Sequence, residues 1–191
     1  MSRCFVAIDF ETADHGRDSA CSIGLVRVEG SRIVVRASRL IRPPRRDFIF
    51  TYIHGISWCD VASAPAFSLV WRELRPLLDG AEVIAAHNAP FDRSVLAASC
   101  AMGGIAPPSI PFLCTMKLAR DRWGVFPTKL PDVCRHLGLR LKHHDAASDA
   151  EACARIVLAA RKGRSAAVHV VAGRRPRRHG RHPWPAAGAG K

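Results

Sequence analysis

Residues 4–12 read Cys-Phe-Val-Ala-Ile-Asp-Phe-Glu-Thr, an apolar run that ends in two acids. Such a run is typical of a buried β-strand, in which residues i and i+2 project from the same face. Asp9 and Glu11 would then stand side by side, and their charges would repel unless a proton or a cation lay between them. Because Mg²⁺ and Mn²⁺ prefer oxygen ligands, the spacing indicates a metal site, with a solvated strand end as the alternative.

A second acid follows another short apolar run. Residues 83–92 read Val-Ile-Ala-Ala-His-Asn-Ala-Pro-Phe-Asp. The apolar part predicts a strand, and Pro90, two residues past Asn88, predicts a helix with Asn88 as its N-cap. Asp92 then lies in the first turn of this helix, in a place that an active site could use.

A third acidic segment stands before an alanine-rich stretch. Residues 143–151 read His-His-Asp-Ala-Ala-Ser-Asp-Ala-Glu. The composition predicts a helix over 147–162, capped by Asp145 and ended by Gly163. Asp149 would lie about one turn inside this helix and His144 just before its start, so that both could face one cavity.

Together these segments resemble the catalytic pattern of the DEDD-h exonuclease family, over residues 4 to about 160. The resemblance rests on Asp9-Phe10-Glu11-Thr12, Ser22-Ile23-Gly24, His54-Gly55-Ile56, His87-Asn88-Ala89-Pro90-Phe91-Asp92 and His144-x-Ala146-x-x-Asp149-Ala150. Within the family, the pattern is most similar to the exonuclease domain of the DNA polymerase III epsilon subunit. The branch that replaces the histidine by a nearby tyrosine is excluded, because Tyr52 is the only tyrosine of this chain.

The order of predicted elements indicates an α/β chain with a mixed sheet. Strands are expected in a hairpin over 21–28 and 33–36 and at 82–86 and 110–113, with a loop over 42–62. Helices are expected over 65–79, 90–102, 115–123, 131–137 and 147–162. The resemblance sharpens this to a ribonuclease H-like fold, in which helices flank a mixed five-stranded sheet and the carboxylates gather at one edge.

The resemblance also implies a mechanism. The catalytic residues of the family correspond here to Asp9, Glu11, Asp92, His144 and Asp149. Asp9 would bridge two Mg²⁺ or Mn²⁺ ions, Glu11 and Asp149 would complete the first site, and Asp92 would hold the second ion. His144 would be the general base, with His143 as the competing candidate that lacks the family's five-residue interval to Asp149. The implied enzyme is a phosphodiester hydrolase that works by a two-metal mechanism.

Other residues are implied to hold the substrate. They are Phe10, Thr12, His54, Ile56, His87 and Phe91. Apolar side chains among them could separate the terminal base from its neighbour. Phe10 and Phe91 are flanked by apolar residues and could equally fill the core, and His87 could form a local hydrogen bond instead.

Length and composition set the outer limits. With 191 residues and an apolar fraction of 48%, the chain suits one domain, which we expect over 1–163. No run approaches the eighteen or so apolar residues of a membrane helix, and the first strand leaves no room for a signal peptide. We therefore expect a cytoplasmic protein with no membrane contact. Seven scattered cysteines without a C-x-x-C pair indicate reduced, buried thiols.

Positive charge concentrates at the C-terminus. The formal charge is +13, and residues 161–191 contain nine Lys or Arg and no acid. Clustered like charges with Pro and Gly cannot form a packed core, so 164–191 is predicted to be a basic tail, disordered in isolation. The tail would either tether a nucleic-acid backbone or extend into solvent without a specific partner.

Three functions stay open at this point. The leading hypothesis is a 3′-to-5′ exonuclease that releases nucleoside monophosphates from DNA 3′ ends, of the proofreading or repair type. An RNA-trimming exoribonuclease of the same family is the first alternative, and a non-catalytic nucleic-acid-binding module acting through the tail is the second. A polymerase partner is unsupported, because the chain has no glutamine with which to begin the clamp-binding motif of replicase subunits.

Overall fold

The computed structural model of this protein describes residues 4–167. Residues 1–3 and 168–191, which include most of the predicted basic tail, lie outside the described residues.

Five strands form one mixed sheet. They are β1 (Cys4–Thr12), β2 (Ala20–Glu29), β3 (Arg32–Leu40), β4 (Ile84–Ala86) and β5 (Phe112–Cys114). Their order across the sheet is β3-β2-β1-β4-β5. β1, β2 and β3 are antiparallel neighbours, whereas β4 runs parallel to β1 and β5 parallel to β4. The predicted hairpin and the predicted mixed sheet are confirmed.

Seven α-helices flank the sheet within residues 4–167. They are α1 (Thr51–His54), α2 (Trp58–Val61), α3 (Phe67–Leu74), α4 (Ala89–Met102), α5 (Thr115–Trp123), α6 (Leu130–Leu137) and α7 (Ala146–Ala167). α3 passes into a 3₁₀ turn over Arg75–Leu78, where Pro76 cannot donate an α-helical hydrogen bond.

Two predictions about these helices are wrong. The segment 42–62 is not only loop, since it contains α1 and α2. α7 does not end at Gly163 but continues to Ala167. A glycine inside a helix costs only about 1 kcal/mol, which the surrounding helix-forming residues offset.

Alternation along β1 sends its side chains into two layers. Val6, Ile8 and Phe10 belong to a core that α3 and α4 cover. Phe5 and Ala7 belong to the opposite core, beneath α5, α6 and α7. Because Asp9 and Glu11 continue this second series, they lie on the face of the sheet against which α7 packs.

The start of α7 approaches the sheet at Gly24, the residue that pairs with Asp9 across β1 and β2. A Cβ atom on Gly24 would lie 1.9 Å from the Ala146 carbonyl oxygen, so only glycine leaves room for the helix here. Asp145 Oδ1 accepts the amide N–H of Ser148 at 3.2 Å, which confirms the predicted cap. The first turn of α7 is thus fixed beside the end of β1.

Within residues 4–167, none of the helices is both long enough and apolar enough to cross a membrane.

Candidate active site

Three elements bring four carboxylates to one cavity. Asp9 and Glu11 lie at the end of β1, Asp92 in the first turn of α4, and Asp149 in the first turn of α7. Carboxylate oxygens of Asp9, Glu11 and Asp149 all lie within 4.8 Å of one another. All four acids line a cavity of about 280 Å³. The structure therefore brings together the four residues that the sequence predicted as metal ligands.

A hydrogen bond ties Asp92 to the strand that carries the other two acids. The amide N–H of Phe10 donates to Asp92 Oδ1 at 3.1 Å, and Asp92 is only 2% exposed. Asn88 occupies the N-cap position of α4 as predicted, but with a left-handed φ of 63° and without a capping bond from its side chain. Asn88 lines the cavity beside Asp92.

The four carboxyl groups share an environment that opposes their ionisation. Burial raises the pKa of Asp9 well above its usual range, and the charges of Asp92 and Asp149 raise it further. Burial and the Asp149 charge raise the pKa of Glu11 to about 7. Burial raises the pKa of Asp92 to about 8, although the hydrogen bond from the Phe10 amide lowers it. Burial also raises the pKa of Asp149, although the hydrogen bond with His143 lowers it. The four carboxyl groups can therefore ionise together only if a cation neutralises their charge.

The donor set fits divalent metal ions. Within residues 4–167, no Lys or Arg forms an ion pair with Asp9, Glu11, Asp92 or Asp149. In the same part of the chain, the buried Oδ1 of Asp149 has no hydrogen-bond donor. An oxygen-only cluster with an unpartnered buried oxygen is the environment that hard cations such as Mg²⁺ and Mn²⁺ prefer.

Two adjacent histidines stand at the edge of the cluster. His143 Nδ1 lies 2.8 Å from Asp149 Oδ2, and the backbone amide of His144 donates to the same oxygen at 3.2 Å. The two rings stack with their centroids 3.7 Å apart. His144 has a φ of 65°, a left-handed conformation that is strained for a residue with a side chain. Burial and the neighbouring His143 lower the pKa of His144, so its ring is neutral near pH 7.

His54 and Thr12 form one wall of the cavity. The amide of Ile56 donates to His54 Nδ1 at 3.0 Å, so Nε2 carries the proton and donates to the Thr12 carbonyl oxygen at 3.1 Å. Burial lowers the pKa of His54, which agrees with a neutral ring. The Ile56 side chain does not line this cavity, because it packs against Ala13 and Val61. Ile56 thus reaches the site only through its backbone.

His87 lines the cavity but uses both ring nitrogens locally. Nε2 lies 2.9 Å from the Thr128 carbonyl oxygen and must donate to it, so Nδ1 accepts from the Thr115 hydroxyl at 3.0 Å. Burial lowers the pKa of His87 and keeps the ring neutral. His87 therefore connects the segment around Thr128 to the cavity. This is the local hydrogen bonding that the sequence analysis gave as the alternative to substrate binding.

The predicted phenylalanines differ in exposure. Phe10 is 4% exposed and packs 6.5 Å from Phe67, ring centre to ring centre, so its ring is mainly core. Phe91 is half-buried at the cavity wall, where the guanidinium carbon of Arg17 lies 4.5 Å from its ring centre. Phe91 is therefore the better placed of the two to meet a ligand.

The structure adds two wall residues that the sequence did not single out, Phe50 and Ile53. Both precede His54 in the segment predicted as loop, where α1 turns them toward the cavity. Phe50, Ile53 and His54 are spaced i, i+3 and i+4, which would place them on one face of a helix. This spacing could have identified the two wall residues, but the segment was predicted to be a loop.

Comparison with known proteins agrees with this geometry. The RNase T family model, described as "Exonuclease", matches residues 6–157. A PolC-type DNA polymerase III from Thermotoga maritima is 30% identical over 158 residues, which are 81% of this chain and 12% of that protein. A DNA polymerase III subunit epsilon-like protein from Rhodobacter capsulatus is 38% identical over 98 residues, 48% of this chain and 14% of that protein. The chain thus spans under a fifth of the length of these relatives.

Solved structures share the fold. Exonuclease X in complex with 5′ overhanging duplex DNA superposes with a TM-score of 0.67 at 27% identity, covering 84% of this chain and 93% of that one. The nuclease domain of 3′hExo, a DEDDh family member bound to rAMP, superposes with a TM-score of 0.72 at 17% identity, covering 85% of this chain and 93% of that one. The predicted ribonuclease H-like fold is confirmed.

Proposed function

The chain belongs to the RNase T exonuclease family, as its resemblance to DEDD-h exonucleases predicted, and we propose that it removes nucleoside monophosphates from the 3′ ends of DNA with the help of two divalent ions. The observation that carries the proposal is the meeting of Asp9, Glu11, Asp92 and Asp149, from three separate elements, in one cavity. The four residues are far apart in the sequence, and a cluster of carboxylates is what a two-metal mechanism of phosphodiester hydrolysis needs to hold its ions.

Asp9, Glu11, Asp92 and Asp149 would hold Mg²⁺ or Mn²⁺. Bound there, the ions would neutralise the phosphoryl charge, lower the pKa of the attacking water and stabilise the leaving oxygen. The protein's own part is to keep the four carboxylates in position. The bond from the Phe10 amide does this for Asp92, and the bonds from the 143–144 segment do it for Asp149.

His144 is proposed as the general base. Its ring lines the cavity, and no described residue is hydrogen-bonded to its side-chain nitrogens. A neutral imidazole with a free nitrogen can take a proton from the attacking water. His143 is assigned to positioning, because its Nδ1 lies 2.8 Å from Asp149 Oδ2 and it lacks the five-residue interval to Asp149 that the family pattern gives the base. The two histidines thus act as base and as positioning residue.

The cavity is proposed to receive the terminal nucleotide. Phe91, Phe50 and Ile53 offer apolar surface for the base, and Thr12 and His54 form the polar wall. A volume of about 280 Å³ suits one nucleotide rather than a continuous strand. This limit favours release of single nucleotides from an end, and the 3′ polarity is taken from the family resemblance.

DNA is proposed as the substrate because the nearer likenesses carry DNA in their names. The 27% identical solved structure is Exonuclease X with duplex DNA, and the relatives at 30% and 38% identity are DNA polymerase III proteins. The RNA alternative rests on likenesses to the nuclease domain of 3′hExo bound to rAMP, at 17% identity, and to a 3′-exonuclease that recognises a histone mRNA stem-loop, at 18% identity. A cytoplasmic location remains a prediction, and a polymerase partner remains an alternative that only the names of the relatives suggest.

The test uses purified protein, Mn²⁺ or Mg²⁺, and matched DNA and RNA oligonucleotides that carry a 5′ label. We expect a ladder of 5′-labelled products that shortens one nucleotide at a time on DNA, and faster than on RNA. Asp9→Asn should abolish the ladder, and Asp121→Asn, which changes an exposed acid outside the cavity, should not. Cleavage at internal positions, or a gel shift of intact oligonucleotide without cleavage, would contradict the proposal.

A further inference from the structure

A second cavity adjoins the first at Asp9 and Asp149. It has a volume of about 520 Å³ and shares Asp9, His87, Asn88, His143 and Asp149 with the cavity proposed for the terminal nucleotide. Its other walls come from α5 and from the segment between α5 and α6. We call this space the Phe126 chamber, bounded by Met116, Phe126, Pro127 and Lys129. None of these four residues has a role in the function proposed above.

Phe126 provides the chamber with an exposed aromatic ring. It is 86% exposed, more than the other exposed large apolar residues of the part of the chain that the structure describes. A single exposed apolar side chain is ordinary on a protein surface. An aromatic ring that stands free at the wall of a cavity whose floor is the catalytic acids is a surface on which a planar ligand can stack.

The ring stands on a fixed segment. The Thr128 hydroxyl donates to the Val125 carbonyl oxygen at 2.8 Å and accepts from Arg120 Nε at 2.7 Å. The Thr128 carbonyl accepts from His87 Nε2 at 2.9 Å. These bonds brace the chain on both sides of Phe126 and join it to His87 of the first cavity. A ligand that stacks there would meet a wall that is already in place.

The charge around the ring selects the ligand. Lys129 is exposed and forms no ion pair within residues 4–167, and Arg120 adds a second positive charge at the wall. The chamber's only acids are the shared Asp9 and Asp149. An aromatic ring beside unpaired cations recognises a nucleotide, whose base stacks and whose phosphate is attracted.

We propose that the Phe126 chamber is a second nucleotide subsite, in which the base of the nucleotide on the 5′ side of the scissile phosphate stacks on Phe126 while the sugar-phosphate backbone passes Lys129. The inference rests on the proposed function, because it takes the scissile phosphate to lie at the acids that the two cavities share. A phosphate at that point has one nucleotide on each side, and each cavity adds walls of its own to the shared acids, so each can receive one of the two nucleotides. Phe126 is then a binding residue that sets the register of the strand.

The test removes the ring and the base separately. One oligonucleotide carries an ordinary nucleotide at the position 5′ to the scissile bond, a second an abasic nucleotide there, and a third an abasic nucleotide three positions further toward the 5′ end. In the wild-type protein, the abasic change beside the scissile bond should raise KM by roughly 5- to 150-fold, which corresponds to about 1–3 kcal/mol of stacking. The distant abasic change should have little effect.

In Phe126→Ala, the normal and the adjacent-abasic oligonucleotides should have the same KM, because no ring remains for the base to meet. Phe126→Trp should restore the difference, and Leu69→Ala, an exposed apolar residue on α3, should leave it unchanged. Binding is measured independently by fluorescence of 2-aminopurine at the adjacent position in Ca²⁺, where stacking quenches the signal in the wild type only.

A difference between the two oligonucleotides that is equally large in Phe126→Ala and in the wild type would overturn the inference. The same conclusion follows if Phe126→Ala leaves every nucleic-acid measurement unchanged, a result that would direct attention to a protein partner. Failure of the proposed function looks different, since then the wild type would cleave none of the oligonucleotides.

Discussion

His143 Nδ1 lies 2.8 Å from Asp149 Oδ2, and this contact separates the tasks of two neighbouring histidines. His143 and His144 share a stacked pair of rings, yet only His143 bonds to the acid through its side chain. The resemblance to the exonuclease family assigns the base to His144, which has the five-residue interval to Asp149, and no described residue is hydrogen-bonded to its side-chain nitrogens. The geometry therefore predicts different defects when each is removed.

Replacing His144 by alanine should lower kcat by roughly 10²–10⁴-fold, the usual contribution of a general base. The rise in melting temperature produced by Mn²⁺ should stay close to that of the wild type, because the His144 side chain holds no acid. Replacing His143 by alanine should weaken this Mn²⁺ effect, since Asp149 loses its partner. Equal loss of the Mn²⁺ effect in both variants would contradict the assignment.

The pH dependence of kcat should report His144. Burial and His143 lower its pKa below the usual value of about 6.5, so the neutral ring persists into mildly acid solution. We expect kcat to be constant near neutral pH and to fall about tenfold per pH unit only below the lowered pKa. The profile of His144→Ala, measured with saturating Mn²⁺, should lose this decline. A decline that persists unchanged in the variant would assign it to another group.

The acid cluster should make the metal-free protein less stable as the pH rises. Folding raises the pKa of Glu11 to about 7 and of Asp92 to about 8, whereas carboxyls of the unfolded chain titrate at about 4. The folded state therefore binds more protons between pH 4 and 8, and the free energy of unfolding decreases across that window. Urea unfolding in EDTA at pH 5 to 8 measures the slope.

Asp92→Asn is the matched variant for this slope, because its amide oxygen can still accept from the Phe10 amide. With no proton to lose at this position, the variant should be more stable than the wild type at pH 8 by about 1–3 kcal/mol. Mn²⁺ should stabilise the wild type at pH 8 more than the variant, since the ion binds only the folded state. An identical pH slope in the two proteins would count against the charged cluster.

Gly24→Ala tests how the fold positions the site. A Cβ at this position would lie 1.9 Å from the Ala146 carbonyl oxygen, and backbone cannot move aside as a flexible side chain can. The start of α7 must shift and carry Asp149 with it. We expect a loss of stability of about 1–3 kcal/mol and, at a temperature where the variant is folded, a roughly 100-fold loss of kcat/KM.

Gly103→Ala is the control for this change. Its Cβ would meet side-chain atoms of Ile105 and Ser68 at 3.3 Å, away from the acids, so activity should be nearly unchanged. Full activity of Gly24→Ala would show that the start of α7 can move without consequence for the site.

The place of the acids within their strand and helices could be predicted from the sequence because it follows from local patterns, and the resemblance to the exonuclease family joined them into one predicted site. Asp9 and Glu11 share a face of a strand, and Asp92 lies in the first turn of a helix whose start Pro90 marks. Such features depend on neighbours a few residues away. The α/β class and the mixed sheet could be predicted for the same reason, from alternating and helical stretches in order.

The parts that the sequence did not predict depend on distant contacts. The bond from His87 to Thr128 spans 41 positions and decides where Phe126 stands. The helical turn over residues 51–54 brings Phe50 and Ile53 to the cavity in a segment without clear periodicity. No pattern within a few residues encodes these placements, because they follow from the packing of separate elements.

Residues 168–191, outside the described part of the chain, carry six Lys or Arg and no acid, and this charge predicts a role in holding the substrate. A chain that stops at residue 167 should bind single-stranded DNA more weakly at low salt. Each phosphate contact that is lost removes about 0.7 from the slope of log K against log salt, so six lost contacts would remove about 4. Fluorescence anisotropy at several salt concentrations measures this slope for both chains. The value of kcat at saturating oligonucleotide should be the same in both, since the acids and His144 lie in the part that is kept. Equal slopes would show that the basic residues make no contact with the strand and would favour an extension into solvent.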